Sequence, residues 1–519
     1  MDSASSRAFR WVPWLSWGMF SALWVRQWAA FPLVLDPYYH LLIAQQVAVA
    51  GGPITYEWWE YAPIGRPHLY PPVLHLLLAG LLHLGVLPLA AIRVATATLL
   101  PALLASLYLV MRRLFTPSMA LVCLWAAMVP AAFHVHSGVA LAAALGLIEF
   151  LWLLDALESK RWFAAGAWLV LLCYTHLGLP WIALASVGAY GCLRPAVWRD
   201  AVKAAAGLVL AIPWWWHVLS HRAATSTTWP YENEVIDIMP CLLAVSLVGV
   251  WVCWKARQRH LLLLGCGLGF SLLAFHYRFR WLSGEGLLPV ILLAGVGVHW
   301  LARRISGAAL GSRRHVLMSL ALVTLLGLSP TLVRQHSAWR VWWPDSGPVR
   351  LVSASEIRPR QLGARFAVRL SERVARVVSL TTAPGEILWS NAPYVAGLVA
   401  ALSRRPMSSA MLSEVGPSGR LDPVTAAQVI VWFKFDPQPG DLRLADLAAL
   451  PLTTLFEDET AIVYRRRDAL PPAHAPQAAM PYGLAVGLVA MAVGLAVRDA
   501  RRPRAALDDG RMREYTNAT

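Results

Sequence analysis

Charge is what this 519-residue sequence has least of: Asp, Glu, Lys and Arg together make up 14% of it, against 58% hydrophobic residues and a mean hydropathy of +0.53. A soluble domain carries roughly 25% charged residues, so the composition excludes one and indicates a polytopic membrane protein. Lysine is nearly absent, occurring only at Lys160, Lys203, Lys255 and Lys434, and arginine carries the net charge of +16. That usage fits GC-rich codons and a bacterial source. The basic residues recur between apolar stretches instead of forming one patch, so they report membrane orientation and no nucleic-acid partner. Cysteine is scarce: Cys123, Cys173, Cys192, Cys241, Cys253 and Cys266 lie in or beside apolar stretches without a CxxC pair. The cysteines therefore suggest neither a zinc site nor a disulfide framework, and helix packing is their expected role. No Walker or dinucleotide fingerprint is present, and Gly51-Gly52 and Gly284-Glu285-Gly286 are too short to cradle a phosphate. The first apolar run lacks a small-residue cleavage site, so no cleaved signal peptide is expected.

What is there is a series of apolar runs near the roughly 20 residues that a spanning helix needs. They begin at Trp11, Thr96, Pro117, Val139, Trp162, Pro180, Val202, Ile236, His260, Leu282, His315 and Met480, and predict a polytopic α-helical membrane protein of about twelve spans. Arg112-Arg113, Lys160-Arg161 and the basic clusters within 194–203, 255–259, 303–314 and 498–504 occupy alternate connections. By the positive-inside rule those connections and both termini are cytoplasmic. The expected location is the bacterial inner membrane, with the working face periplasmic.

Two regions break the pattern. The long first external loop, 27–94, holds 36–51, which reads as an amphipathic interfacial helix, and 73–86, which is too short to cross. In 334–470, apolar runs of strand length (374–380, 386–390, 429–433, 460–464) alternate with a helical pattern at 392–402. The expected organisation is a multi-span domain over 1–333, a small external α/β domain over 334–470, and a Pro/Ala linker, last span and basic cytoplasmic tail over 471–519.

This topology gathers a set of polar residues on the external face. Asp36, Tyr38 and His40 begin the first loop, His134 and His136 follow the third span, and His176 ends the fifth. His221, Glu232 and Glu234 follow the seventh span, and His276, Arg278 and Arg280 the ninth. Ionisable groups at such depths are costly and usually functional. Asp36 reads either as a helix cap or as a metal ligand or general base. His134-Val135-His136 brings two imidazoles to one ion only if the loop is extended; the alternative is a pair of interfacial, hydrogen-bonded histidines. Arg278 and Arg280 suit bidentate capture of a phosphate or, alternatively, snorkel to the headgroups.

Asp36-Pro37-Tyr38-Tyr39-His40, the Trp58-Trp59 region and Tyr70-Pro71-Pro72 resemble the first external loop of the oligosaccharyltransferase catalytic subunit family, membrane glycosyltransferases of the GT-C class. Thr227-Thr228-Trp229, the helix ending in Pro289-Val290-Ile291-Leu292-Leu293-Ala294-Gly295, and Leu388-Trp389-Ser390-Asn391-Ala392-Pro393-Tyr394 extend the resemblance over most of 11–464. It implies transfer of a sugar or oligosaccharide, with inversion, from a polyprenyl-phosphate or polyprenyl-diphosphate donor to a protein, glycan or lipid acceptor on the external face. Asp36 matches the family's catalytic and metal-binding aspartate. A divalent metal, Mn²⁺ or Mg²⁺ and less readily Zn²⁺, is implied with Asp36, His134 and His136 as ligands, a metal-free site being the alternative. Arg278 and Arg280 would hold the donor phosphate, and Tyr38, Trp389, Ser390 and Asn391 the acceptor. Tyr70, His40, His176, His221, Glu232, Glu234 and His276 complete the candidates. This chain has His134-Val135-His136 in place of the family's acidic motif, Ser220-His221-Arg222 in place of its loop glutamate, and Asn391 in place of an acceptor-binding aspartate. Two other functions stay open: an inactive relative that binds only the lipid carrier, and a flippase for polyprenyl-linked sugars, whose charges would line a path through the bilayer.

Overall fold

A computed structural model describes residues 3–28, 31, 36–225, 236–310, 312–335, 338–344, 346–353, 357–411, 415–434, 447, 450–468, 472–480, 487, 490–491 and 494. The span expected from Met480 and the basic tail therefore lie almost wholly outside the described residues. The chain begins with α1 (Ser3–Val25), α2 (Asp36–Ala50), the hairpin β1 (Tyr56–Glu57) and β2 (Arg66–Pro67), and α3 (Val73–His83). Then come α4 (Pro88–Leu114), α5 (Pro117–Ala127), α6 (Ala131–Val139), α7 (Leu141–Glu158), α8 (Trp162–Cys173), α9 (Leu179–Leu193), α10 (Trp198–Ala205) and α11 (Ile212–Ser220). After β3 (Ile236–Ile238) follow α12 (Pro240–Ala256), α13 (Leu261–Phe270), α14 (Leu273–His276), α15 (Arg278–Ser283), α16 (Leu287–Ser306) and α17 (Arg313–Gly327). The rest is β4 (Thr331–Gln335), β5 (Ala338–Trp342), α18 (Gly347–Ser353), α19 (Ile357–Thr381), β6 (Leu388–Ser390), α20 (Pro393–Ser403), β7 (Val429–Phe433), β8 (Leu452–Glu457) and β9 (Ala461–Arg466).

By length and apolar composition, four helical stretches among the described residues can cross a membrane: Pro88–Leu114, Pro195–Ser220, Gln258–Phe275 and Arg278–Ser306. The pair α5 and α6, bent by 78° at their junction, makes a fifth if counted as one. Helices α3, α8, α9 and α12 are apolar but shorter, and α7 carries Glu149, Asp155 and Glu158 within its apolar length. The chain divides the expected runs differently from their hydropathy. The run from Thr96 belongs to a helix that starts at Pro88, the one from Ile236 is a strand until Pro240, and the one from Leu282 breaks between α15 and α16. Local chemistry sets these ends: Thr116 accepts the Met119 N–H and Pro117 occupies the first turn of α5, a favoured start for a helix. Gly249 of α12 faces Leu293 of α16 so closely that a Cβ would collide with the Leu293 carbonyl, and Gly297 meets Val245 in the same way. Small residues let apolar helices pack by backbone contact where no hydrophobic drive exists between them and lipid.

Two expectations are corrected. Helix α2 is not amphipathic: residues 37–47 are all buried, enclosed by α3, α4 and α20. Residues 374–380 are not a strand but the end of α19; Leu370, Val374 and Val378, all buried, recur every fourth residue along one helical face. The other expected strands, β6, β7 and β9, form with the unexpected β8 the sheet β6-β7-β9-β8, parallel between β6 and β7 and antiparallel elsewhere, with α19 and α20 packed together beside it. A second sheet, β3-β4-β5, has no counterpart among the sequence expectations; Asp237 of β3 pairs with Val333 of β4. Strand β4 therefore straddles the expected boundary at 333/334.

Candidate active site

Asp36 is the first residue of α2 and His40 lies one turn on, so i,i+4 spacing puts both on one face. The His40 Nε2 is 3.6 Å from the Asp36 Oδ2, and the His40 Nδ1 lies 2.9 Å from the Nε2 of His75 on α3. Behind them the β1–β2 hairpin carries a buried charge cluster. Arg66 donates from Nε to the Glu57 Oε2 at 2.8 Å, pairs with Glu60, and donates to the Val415 carbonyl at 2.8 Å. The Tyr39 hydroxyl donates to the Glu57 Oε1 at 2.8 Å, and the His68 Nδ1 lies 2.6 Å from the same oxygen. Burial works to raise the Glu57 carboxyl, but Arg66 and His68 outweigh it and hold Glu57 well below the carboxylate range. Glu60 is pushed up by burial and by the Glu57 charge, against Arg66.

The opposite wall is built around Glu285, which sits in the break between α15 and α16. Its Oε2 is 3.1 Å from the His136 Nε2, and its Oε1 is 3.4 Å from the Arg280 Nη1 and 3.9 Å from the His176 Nε2. The His176 Nδ1 accepts the Gly178 and Leu179 N–H groups at 3.0 and 3.1 Å. The proton of its neutral ring is therefore on Nε2, facing Glu285. The two glycines beside Glu285 are required by space: a Cβ on Gly286 would lie 2.5 Å from the Trp281 backbone, and one on Gly284 3.0 Å from the Arg280 backbone.

The charges of Arg280 and His136 act across this site on Asp36. Burial raises the Asp36 carboxyl, but the neighbouring His40, Arg280 and His136 outweigh that and leave it below its ordinary value of 3.8. Exposure separates contact groups from support. The side chains of Asp36, Arg280 and His136 retain 27%, 28% and 15% of their surface, while His40 and Glu285 retain 0% and 2%. One carboxylate thus faces two cationic or cation-forming groups at an accessible surface, backed by buried partners.

The other candidates are distributed as follows. His134 and His136 lie in helix α6, not in an extended loop, so side chains two apart diverge; the His134 Nε2 lies 2.8 Å from the Ala127 carbonyl, away from Glu285. Arg278 is exposed on α15, two residues and so about half a turn from Arg280. Tyr70 packs on His40 at 4.9 Å between ring centroids, and Tyr38 is buried. His221 is exposed and packs against His217 with tilted rings. Glu232, Glu234 and Thr227-Thr228-Trp229 lie outside the described residues, as does the His276 side chain. Trp389, Ser390 and Asn391 are held by the α/β sheet: Asn391 accepts the Phe433 N–H at 2.7 Å and donates to the Phe433 carbonyl at 2.9 Å. Sequence reasoning missed Glu285, Glu57 and Arg66. A lone carboxylate between two glycines at the head of an apolar helix was the available signal for Glu285.

No protein-family model matches the sequence, and no curated protein is similar to it. Solved structures are similar. ArnT from Cupriavidus metallidurans, in the apo state, superposes with a TM-score of 0.53 at 14% identity over 88% of this chain and 98% of its own. The same protein bound to undecaprenyl phosphate gives 0.50 at 14% identity over 88% and 99%. The arabinofuranosyltransferase AftD from Mycobacteria gives 0.52 at 14% identity, over 88% of this chain but 40% of its own. The chain is accordingly similar in fold to membrane glycosyltransferases of the GT-C class.

Proposed function

We propose that this protein transfers a sugar from a polyprenyl-phosphate or polyprenyl-diphosphate donor to a protein, glycan or lipid acceptor on the external face of the bacterial inner membrane. What supports the reading is that Asp36, Arg280 and His136 are the accessible members of an otherwise buried set, with the charges of the last two acting on Asp36. As the bond from the anomeric carbon to phosphate breaks, negative charge grows on the leaving oxygen, and preorganised cations lower that barrier most. Arg280 supplies a permanent cation and His136, when protonated, a second. Asp36, ionised and held low by those cations, takes the proton of the attacking acceptor. Glu285 anchors both cations without reaching the surface. The similarity in fold to a protein solved with undecaprenyl phosphate supports the donor class.

The ligand trio implied by the sequence resemblance, Asp36, His134 and His136, is not brought together, because His134 is turned away to the Ala127 carbonyl. Among the described residues no three His, Cys, Asp or Glu side chains are disposed to hold an ion. The two oxygens of Glu285 face His136 and Arg280. The test of the proposed reaction is Asp36→Asn in the full chain reconstituted in lipid and assayed against a set of polyprenyl-phosphate sugars. Asparagine caps a helix about as well as aspartate, so the variant should fold while transfer falls by at least about a hundredfold. Near-normal transfer would return Asp36 to a capping role.

A further inference from the structure

Behind Asp36 lie two imidazoles that the proposed reaction does not use directly. His40 and His75 are both fully buried, and the 2.9 Å contact between the His40 Nδ1 and the His75 Nε2 has room for one proton only. With both rings neutral, that proton has two possible owners, and each fixes what His40 shows to Asp36. If it belongs to His40, the His40 Nε2 of a neutral ring is bare and turns a lone pair toward a carboxylate 3.6 Å away. His75 then carries its own proton on Nδ1, a buried atom with no hydrogen-bond partner among the described residues. Two unfavourable arrangements coincide: a lone pair against an anion and a buried donor left unpaired. If the proton belongs to His75, its Nε2–H donates to the His40 Nδ1, and the His40 Nε2–H points at Asp36. The His40 Nε2–H then meets its carboxylate electrostatically, at 3.6 Å and beyond hydrogen-bond length, and a bare His75 Nδ1 is left over.

We infer that His75 is a positioning residue: its Nε2–H fixes His40 as the Nε2–H tautomer, which in turn orients and stabilises the ionised Asp36. The inference deepens the transferase reading and rests on it for its kinetic part alone. The other groups around the pair leave this assignment intact. Tyr39 and Tyr70 pack on His40 with ring centroids 5.4 and 4.9 Å away. His68 packs on His75 at 5.2 Å, but its Nδ1 is turned to Glu57, whose charge is already met by Arg66. On the far side Asp36 is faced by Arg280, His136 and His176, whereas the His40 Nδ1 is turned to His75. His75 is therefore the group placed to choose the tautomer.

The experiment compares wild type, His75→Leu and His75→Gln as full chains in lipid nanodiscs with ¹⁵N-labelled histidine, His40 being assigned by its own substitution. Nitrogen shifts distinguish a protonated Nε2 from a protonated Nδ1 without any substrate. Wild type and His75→Gln, whose amide can still donate, should show His40 protonated on Nε2; His75→Leu should lose that signature. In the transfer assay His75→Leu should lose on the order of 10- to 100-fold in kcat, the usual cost of removing a group that orients another through its ring, with KM little changed and His75→Gln largely restored. A His40 protonated on Nδ1 in wild type, or a signature that His75→Leu leaves unaltered, overturns the inference. Equal loss of kcat in both variants with unaltered shifts also overturns it, by showing a packing role. Absence of transfer in wild type would overturn the transferase reading alone, because the tautomer is read without turnover.

Discussion

Arg278 and Arg280 are indistinguishable by composition and lie two residues apart, yet the helix sends them to different surroundings. Arg280 stacks against Tyr277 and Phe279 with its guanidinium 5.2 and 5.7 Å from their ring centroids, and it reaches Glu285. Arg278 stays exposed. Arg280→Ala should therefore lower sugar transfer by at least about a hundredfold, the cost of removing one preorganised donor from developing negative charge, while Arg278→Ala stays close to wild type. A pH profile adds a signed check. The Asp36 carboxyl is held below its ordinary 3.8 in part by Arg280, so the wild-type rate should not fall on the acid side until below that value. Removing the cation lets the carboxyl rise, so the acid limb of Arg280→Ala moves to higher pH. A limb that stays put would show that Arg280 does not act on Asp36.

At the scale of elements, helix contacts decide what hydropathy could not. The tightest crossing, α12 against α16, has Gly249 and Gly297 where their backbones meet. Gly249→Ala should force the helices apart and cost about 1–3 kcal/mol, the usual penalty of overpacking, seen as a lower midpoint in thermal unfolding of the solubilised protein; an unchanged midpoint would mean that the two backbones do not touch there. The elements also show how far the sequence can be read. The apolar runs, β7, α20 and the polar residues of the first loop are legible because each is a local pattern. The HxH signal is visible too, but its meaning depends on α6 being helical, and only His136 joins the site. Glu285 escapes notice because a Gly-Glu-Gly segment invites comparison with a phosphate loop; its partners His136 and His176 lie more than a hundred residues away in the chain. Helix α2 looks interfacial in sequence because nothing local announces that α20, over three hundred residues on, covers it.

The whole molecule is tied together through the first loop. The Gln45 side chain donates to the Ala401 carbonyl at 2.7 Å, the Met407 N–H to the Trp59 carbonyl at 2.8 Å, and the Met411 N–H to the Glu60 Oε1 at 2.7 Å. Arg66 completes the seam by reaching Val415 while pairing with Glu57 and Glu60. The α/β unit and the helix carrying Asp36 are thus joined by one buried ionic cluster, and the cluster's charges are costly unless matched. Arg66→Met leaves the buried Glu57 carboxylate without its guanidinium, beside Glu60, for which the expected penalty is about 3–5 kcal/mol. Changing the carboxylates as well removes that penalty: the triple variant Glu57→Gln, Glu60→Gln, Arg66→Met should recover most of the loss, since replacing a whole buried ionic group is often close to neutral. Thermal unfolding and limited proteolysis of the two variants in lipid measure this directly. If Arg66→Met alone melts as wild type, the cluster does not hold the α/β unit to the first loop; if the triple variant is as damaged as the single, the ionic arrangement itself is needed to place α2, and with it Asp36 and His40.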